Sequence, residues 1–242
     1  MALDICQAPR IVTICMLRRY WPATFLIGLA SACSSRPVAV GTGLAASAEA
    51  PCTAARMLAL RDTVEERLIR EAGGRVQRSG CELRISLREG PPAIFQNDIR
   101  EGDSWLTYRY AGPVPAVGLE LVKVQYYEGG PYLLLSAGGG RTIVAGVPVV
   151  APDSSGFFTT SLDLEAEYDP NVIEVWSMQS GSPRLELAVR SEEWGPSEAR
   201  WVDSATIEFL RTFPFEAAGQ HRTAKARLQR SPRGWMFEPL EP

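Results

Sequence analysis

The chain has 242 residues, of which 45% are hydrophobic, enough for one domain with a sizeable apolar core. Its 25 basic and 28 acidic residues give a formal net charge of −3. This mildly acidic balance favours solubility and predicts no nucleic-acid partner.

The first segment with a clear pattern is an export signal. Arg18 and Arg19 form a positive start, a mostly apolar stretch follows at 20–29, and small residues precede Cys33. The apolar stretch has about ten residues, whereas a bilayer span needs about twenty, so we expect a signal rather than a permanent helix. Because Met16 stands just before the arginines, we expect it to be the true start and residues 1–15 to be an over-called extension.

The sequence LASAC at 29–33 resembles the lipobox of bacterial lipoproteins, although Ala30 stands where that family prefers leucine. The resemblance implies that residues 1–32 are a signal peptide. It also implies that Cys33 carries lipid and becomes the mature N-terminus. Residues 33–50, small and rich in Gly and Ala, then form a tether between the membrane and the folded domain.

The residues after the cysteine indicate where such a lipoprotein is sorted. Ser34 and Ser35 lack the aspartate that typically retains lipoproteins at the inner membrane. The resemblance therefore implies a cell-envelope protein in the outer membrane, facing the periplasm, where the host has an outer membrane. Ordinary secretion, with cleavage near Ala32 or later, stays open as the alternative.

The five cysteines agree with export. Cys6 and Cys15 precede the mature chain and Cys33 is assigned to lipid, which leaves Cys52 and Cys81. An oxidising compartment would pair these two, and two free buried thiols are the alternative. Since the bridge closes a loop of about 30 residues, we expect it to contribute roughly 3.5 kcal/mol to stability on the chain-entropy model.

The folded domain, 51–242, begins with the one helix that the sequence predicts, over 53–72. Thr53 is its expected N-cap, and Gly73 and Gly74 are its stop signal. The apolar side chains that recur at helical spacing, and that we expect in the core, are Met57, Leu60, Val64, Leu68 and Ile69. The charged side chains that we expect in solvent are Arg61, Glu65, Glu66 and Arg70.

The remainder of the domain has the pattern of β structure. Alternating apolar and polar residues predict a half-buried strand over 81–88, with Cys81 on its apolar face. From about 103 onward, short apolar or alternating runs lie between turn signals rich in Gly, Pro and Asp, which predicts antiparallel hairpins. The expected strands are 105–110, 119–127, 132–136, 142–144, 157–162, 172–178, 184–189, 206–211 and 222–228.

A repeat with a period of about 44 residues relates the turn APDSSG at 151–156 to WGPSE at 194–198, with the strand VIEVW at 172–176 between them. Over about 119–212 the chain resembles WD-repeat and TolB-like β-propellers, although Ser177 replaces the aspartate of their Val-x-Val-Trp-Asp strand. The resemblance implies a binding scaffold. We expect a mainly β fold of antiparallel blade-like meanders, a partial propeller or a sandwich, with one N-terminal helix.

One acidic segment is the best candidate for a metal site. Its oxygen-bearing side chains alternate with other residues and would share one face of an extended chain: Asp163, Glu165, Glu167, Asp169 and Asn171. Calcium takes six to eight oxygen ligands, so these residues form a hypothetical calcium site. A solvated hairpin arm is the alternative, and no other cofactor is expected.

The sequence assigns no catalytic residue. His221 is the only histidine, and the sequence has no Gly-x-Ser-x-Gly motif that would supply a nucleophilic serine for it. We therefore expect His221 in a turn or hairpin. The glycines at 138–140 lack the lysine of a phosphate loop and predict a hairpin turn. The basic face of strand 222–228 is expected to prevent edge-to-edge association, with contact to anionic lipid as the alternative.

These features favour a non-catalytic binding or assembly module in the cell envelope. Its expected partner, besides the membrane that holds its lipid anchor, is another envelope protein or a cell-wall glycan. An envelope hydrolase using Asp163, Glu165 or Asp169, or an inhibitor of a lytic enzyme, are the alternatives. A raised carboxylate pKa inside a cleft would favour the enzyme, and a contiguous exposed aromatic or apolar patch would favour binding.

Overall fold

The computed structural model describes residues 11–13, 52, 62–100, 105–215 and 221–240. In these ranges the chain forms one α-helix, α1 (Thr63–Glu71), and sixteen strands. The strands are β1 (Ile11–Thr13), β2 (Val76–Ser79), β3 (Glu82–Ile85), β4 (Ala93–Gln96), β5 (Leu106–Val114), β6 (Leu119–Tyr126), β7 (Tyr132–Leu135), β8 (Arg141–Val144), β9 (Val149–Val150), β10 (Gly156–Ser161), β11 (Val172–Gln179), β12 (Ser182–Arg190), β13 (Gly195–Asp203), β14 (Thr206–Phe215), β15 (His221–Ser231) and β16 (Gly234–Pro239). The predicted mainly β fold with one helix is confirmed.

Several predictions fall on residues that the structure does not describe. Among these are the proposed start at Met16, the lipid site Cys33 and the tether 33–50. The predicted N-cap Thr53 and the first part of the predicted helix also lie outside the described residues.

The strands form four sheets of consecutive antiparallel strands. The first sheet is β2–β4, the second β5–β8, the third β9–β12 and the fourth β13–β16. The short strand β1 pairs in parallel with β12 of the third sheet; β1 lies within the predicted signal peptide 1–32, so a mature chain that begins at Cys33 would lack this strand. The three four-stranded sheets begin at Leu106, Val149 and Gly195, which matches the spacing of about 44 residues in the sequence. The predicted blade-like meanders are confirmed.

The four sheets stack face to face in chain order, with an apolar core between each pair. The first core joins Leu83 and Phe95 to residues of the second sheet such as Leu135. Neighbouring residues of one strand pack into different cores. Phe157 lies in the core between the second and third sheets, and Phe158 lies in the core between the third and fourth sheets. Successive strand residues point to opposite faces, so a sheet that is buried on both faces needs the nearly continuous apolar runs seen in the sequence.

The outer faces of the stack carry ion pairs. On the fourth sheet, Glu208 lies 3.1 Å from the guanidinium of Arg200 and 3.6 Å from that of Arg227, a member of the predicted basic face. On the first sheet, Arg84 lies 3.0 Å from Glu82. Terminal units of a stacked array need a polar outer face to remain soluble, so the first and fourth sheets have the character of end caps.

Helix α1 packs beside the edge strand β5, and this placement corrects two predictions about its faces. Val64, expected in the core, is 54% exposed, whereas Glu65, expected in solvent, is buried. The reason is that Glu65 Oε1 accepts hydrogen bonds from the backbone N–H of Tyr110 at 2.8 Å and from Arg78 at 2.5 Å. The helix thereby covers the open edge of the second sheet, which would otherwise present unpaired backbone groups. Its N-cap is Asp62.

Cys52 and Cys81 form a disulfide with their Cα atoms 6.0 Å apart, within the usual range for such bonds. Cys81 lies in the turn between β2 and β3, and the predicted strand 81–88 spans only Glu82–Ile85. The bridge therefore fastens the chain before α1 to the first hairpin of the first sheet.

A candidate ligand-binding groove between the second and third sheets

A groove opens where the second and third sheets meet, and it contains a cavity of about 630 Å³. Its walls come from the turn after β6, the end of β8, the loop 162–171 and the adjoining parts of β11 and β12. Pockets that bind small ligands span roughly 300–1,000 Å³, so the cavity is large enough for a ligand.

The rim of the groove is aromatic and exposed. Three tyrosines line it, with 51% of Tyr126, 71% of Tyr127 and 57% of Tyr168 accessible to solvent, and Ile143 beside them is 67% exposed. We call this site the tyrosine groove. A contiguous exposed patch of this kind marks an interaction surface rather than a core, and it is the feature that favours binding over catalysis.

A glycine brings the Tyr126 ring close to the backbone of its own turn. Gly130 has a φ of 143°, and a Cβ added there would lie 3.2 Å from the Tyr126 ring and 2.4 Å from the carbonyl oxygen of Val124. Since only glycine adopts this φ readily and leaves that space open, the turn depends on Gly130.

The floor of the groove carries a buried carboxylate, Glu174 of β11, of which only 7% is exposed. Its Oε2 accepts hydrogen bonds from Thr159 Oγ1 at 2.9 Å, from the Ala145 N–H at 3.0 Å and from Trp176 Nε1 at 3.3 Å. These are the hydrogen bonds that the Glu174 side chain makes within the described part of the chain, and all of them reach the same oxygen. Oε1 accepts none from the described residues, and the side chain lines the cavity.

The signal for Glu174 in the sequence is a single charged residue within the apolar run VIEVW at 172–176. In this run, Ile173 and Val175 face the core between the third and fourth sheets, and Glu174 points to the other side of the same strand. A single carboxylate inside a strand that is buried on both faces needs partners for its oxygens. That requirement, rather than any motif, could have identified the site.

One wall of the groove is fixed by a contact between the two sheets. Both carboxylate oxygens of Asp169 accept a hydrogen bond from the Gly130 N–H, at 3.0 and 3.2 Å. Lys123 donates to the Gly130 carbonyl, and burial lowers its pKa while the charge of Asp169 opposes that shift. Asp169, one of the predicted site residues, therefore joins the loop 162–171 to the turn after β6.

The other predicted acidic residues do not gather on one face. Asp163 accepts hydrogen bonds from the N–H groups of Ala166, Tyr168 and Asp169 at 3.1, 2.8 and 3.0 Å, and so closes a loop in which the segment was expected to be extended. Asn171 Oδ1 accepts from the Asp163 N–H at 2.7 Å.

The remaining members of the predicted calcium site, Glu165 and Glu167, are exposed. Across the described ranges, no group of three or more His, Cys, Asp or Glu residues is placed to hold a metal ion. Calcium binding at this segment stays a prediction.

The pKa of Asp163 is lowered, chiefly by the backbone hydrogen bond from Asp169 and further by those from Tyr168 and Ala166. A catalytic proton donor in a cleft needs the opposite shift. Asp163 has the environment of a loop-closing residue, and it gives no support to the hydrolase alternative.

Carboxylates outnumber cations along the groove. Glu128, Asp169 and Glu174 line it, and Arg190 is the one lysine or arginine among its described lining residues. Tyr168 donates its hydroxyl to Glu128, and this hydrogen bond raises the pKa of Tyr168. The groove therefore offers aromatic faces together with an excess of negative charge.

The other residues discussed from the sequence lie away from the groove. His221 is at the start of β15, with Nδ1 2.9 Å from the Phe213 carbonyl oxygen. The glycines 138–140 lie in the turn between β7 and β8, as the sequence predicts.

No protein-family model matches the chain, and neither the curated proteins nor the solved structures gave a match. No helix within the described ranges is long and apolar enough to cross a membrane. The geometry of the tyrosine groove is therefore the basis on which a function can be argued.

Proposed function

We propose that this chain is a lipid-anchored cell-envelope protein whose β domain is a non-catalytic binding module, and that its ligand occupies the tyrosine groove. The partner is another envelope protein or a cell-wall glycan. The observation that carries the proposal is the cluster of Tyr126, Tyr127 and Tyr168 at the mouth of a 630 Å³ cavity. Tyrosine supplies a large contact area at a low cost in conformational entropy.

The construction of the groove supports binding by a preformed site. The bond from Gly130 to Asp169 links its two walls, and three donors orient Glu174 on its floor. A site held in this way loses little conformational entropy when a ligand binds.

The anchor belongs to the same proposal. The lipobox-like sequence implies lipid on Cys33, and the disulfide at Cys52 ties the chain just beyond the tether to the first sheet. This arrangement would place the first sheet nearest the membrane and leave the tyrosine groove, on the far side of the second sheet, accessible to partners.

The intact mass of the protein from its native envelope, with and without reductant, tests the anchor. We expect a chain that begins at Cys33, carries acyl groups and gains two hydrogens on reduction. A full-length, unmodified chain with free thiols would overturn the export proposal.

Crosslinked co-purification from the envelope tests the binding module. We expect Tyr127→Ala to lose the partner that the wild-type protein retains. Met236→Ala is the matched control, because Met236 is also exposed (54%) but lies on the fourth sheet. Equal retention by both variants would contradict the assignment of the groove, and release of soluble cell-wall fragments by the purified protein would contradict a non-catalytic role.

A further inference from the structure

Two carboxylates are buried in the described part of the chain, Glu65 and Glu174, with 8% and 7% of each residue exposed. Acidic side chains are almost never fully buried unless they are paired. Glu65 has its cation, since Arg78 Nη2 lies 2.5 Å from its Oε1. Glu174 forms no ion pair with any described lysine, arginine or histidine, and its hydrogen bonds come from a hydroxyl, an amide and an indole.

The position of Glu174 shows where a cation would come from. Its Oε2 is occupied by three donors, its Oε1 accepts no hydrogen bond from the described residues, and the side chain lines the same cavity as the three tyrosines. A cation that enters this cavity meets aromatic rings in its lining, and the faces of such rings attract positive charge. The excess of carboxylates in the lining adds to this attraction.

We propose that the tyrosine groove binds an arginine side chain of a partner polypeptide, with its guanidinium on Glu174 and its plane against the tyrosine rings. This inference rests on the proposed function and names the ligand class of the same site. Arginine fits better than lysine because its planar, weakly hydrated guanidinium can stack on an aromatic ring while one of its N–H groups donates to Oε1.

The surroundings of the groove have room for the polypeptide that carries the arginine. The cavity, at about 630 Å³, is larger than one side chain requires. Strand β8 is the outermost strand of the second sheet, and its Ile143 is exposed beside the tyrosines. An extended segment can lie along such an edge while one of its side chains enters the pocket.

Arg190 lines the same groove and could compete with a partner's arginine for pairing with Glu174. If Arg190 were the natural partner of Glu174, an Arg190→Gln variant would leave a buried carboxylate unpaired and would be clearly less stable than the wild-type protein. We expect instead a stability close to that of the wild type, because the described donors to the Glu174 carboxylate are Ala145, Thr159 and Trp176.

The test is a titration of the full-length protein, in detergent and labelled with nitrogen-15 on tryptophan. The ligands are an acetylated, amidated pentapeptide with two arginines, the same peptide with uncharged citrulline in their place, and a neutral chitin tetrasaccharide. The reporter is the indole N–H of Trp176, assigned by its absence in a Trp176→Phe variant, because this group donates to Glu174.

We expect the arginine peptide to shift the Trp176 indole signal and to bind roughly tenfold or more tightly than the citrulline peptide, as the loss of a charge-assisted hydrogen bond implies. Glu174→Gln is expected to remove this preference and Tyr127→Ala to weaken binding. Glu186→Gln is the control, since Glu186 accepts a hydrogen bond from Ser177 at 2.6 Å and lies on β12 outside the groove lining.

The outcomes separate the two proposals. Binding of the tetrasaccharide without binding of the arginine peptide would overturn the ligand class and leave the binding module intact. Equal binding of the arginine and citrulline peptides would also overturn the role of the guanidinium. A Trp176 signal that no ligand moves, in a protein that still captures its envelope partner, would place the binding site elsewhere and overturn both assignments for this groove.

Discussion

The two junctions that flank the second sheet differ in how their polar groups are satisfied. Between the first and second sheets, a cavity of about 470 Å³ is lined by Arg75 and Glu120. These residues lie 2.6 Å apart, and Tyr110 donates its hydroxyl to the same carboxylate at 2.6 Å. Between the second and third sheets, the tyrosine groove contains Glu174. One oxygen of this carboxylate accepts three hydrogen bonds, and the other accepts none from the described residues.

This difference separates structural charges from functional ones. In the first junction, Glu65 and Glu120 each meet a guanidinium of the same chain, so these charges hold sheets and helix together. In the second junction, a buried carboxylate has neutral donors and an open cavity. A protein that keeps such a group incurs a cost in stability, and a ligand that supplies the missing cation offsets this cost.

The largest expected effect comes from one substitution made at both buried carboxylates. Glu65→Gln leaves Arg78 buried without a counter-charge and should lower the free energy of unfolding by about 4 kcal/mol. Glu174→Gln keeps an acceptor for the three donors and removes a buried charge, so its effect should stay within about 1 kcal/mol. Urea unfolding of the two variants measures both values, and equal losses would contradict the comparison.

The next effect concerns the disulfide that fastens the first junction. Cys52→Ser together with Cys81→Ser opens a loop with a sequence separation of 29 and should cost about 3.5 kcal/mol on the chain-entropy model. Thermal unfolding of this variant is compared with the wild-type protein under oxidising and reducing conditions. An unchanged melting temperature on reduction of the wild type would show that the bridge does not stabilise the fold.

A smaller effect is expected from pH at the wall of the tyrosine groove. Backbone hydrogen bonds lower the pKa of Asp163 from its ordinary value of 3.8, so the ionised carboxylate stabilises the folded state. That contribution is present above pH 3.8 and is lost as pH falls through the lower pKa of the folded state.

Melting temperatures measured from pH 6 to pH 2.5 test this contribution. Asp163→Asn cannot titrate and should therefore lose less stability than the wild-type protein over the acidic part of the range. Parallel curves for the two proteins would show that Asp163 does not hold the loop.

The smallest effect on stability is expected at the rim. Tyr127 is 71% exposed, and Tyr127→Ala should change the free energy of unfolding by no more than about 0.5 kcal/mol, as exposed positions usually do. Its effect on binding should nevertheless be large. A loss of stability comparable with that of Glu65→Gln would mean that the tyrosine belongs to the fold rather than to a ligand site.

Much of the fold could be predicted because local pattern and final burial agree. Runs such as 119–127 and 172–178 lie within one residue of strands β6 and β11, and α1 ends before the Gly73–Gly74 stop signal. Strands β2, β4, β13 and β16 were missed. Charged and polar residues dominate β2 and β13, and β13 contains register shifts, whereas β4 and β16 hold short apolar runs without alternation. A sequence pattern indicates a strand only where one or both faces are apolar.

The site could not be predicted because it forms from separate parts of the chain. Tyr127 and Tyr168 meet only when the second and third sheets stack, and nothing in a local pattern states that stacking. The composition of the acidic segment 163–171 suggested an extended chain with a calcium site. Its backbone instead folds back onto Asp163 through hydrogen bonds from Tyr168 and Asp169. Glu174 lacked any motif and was hidden within an apolar run.

The most direct test of the central claim is photo-crosslinking in the native envelope. Benzoylphenylalanine is placed at Tyr127 in the groove and, as the control, at Met236 on the fourth sheet, each with and without Glu174→Gln. We expect one defined adduct from position 127 that Glu174→Gln abolishes, and none of the same mass from position 236. The same adduct from both positions, or an adduct at 127 that Glu174→Gln leaves unchanged, would contradict this claim.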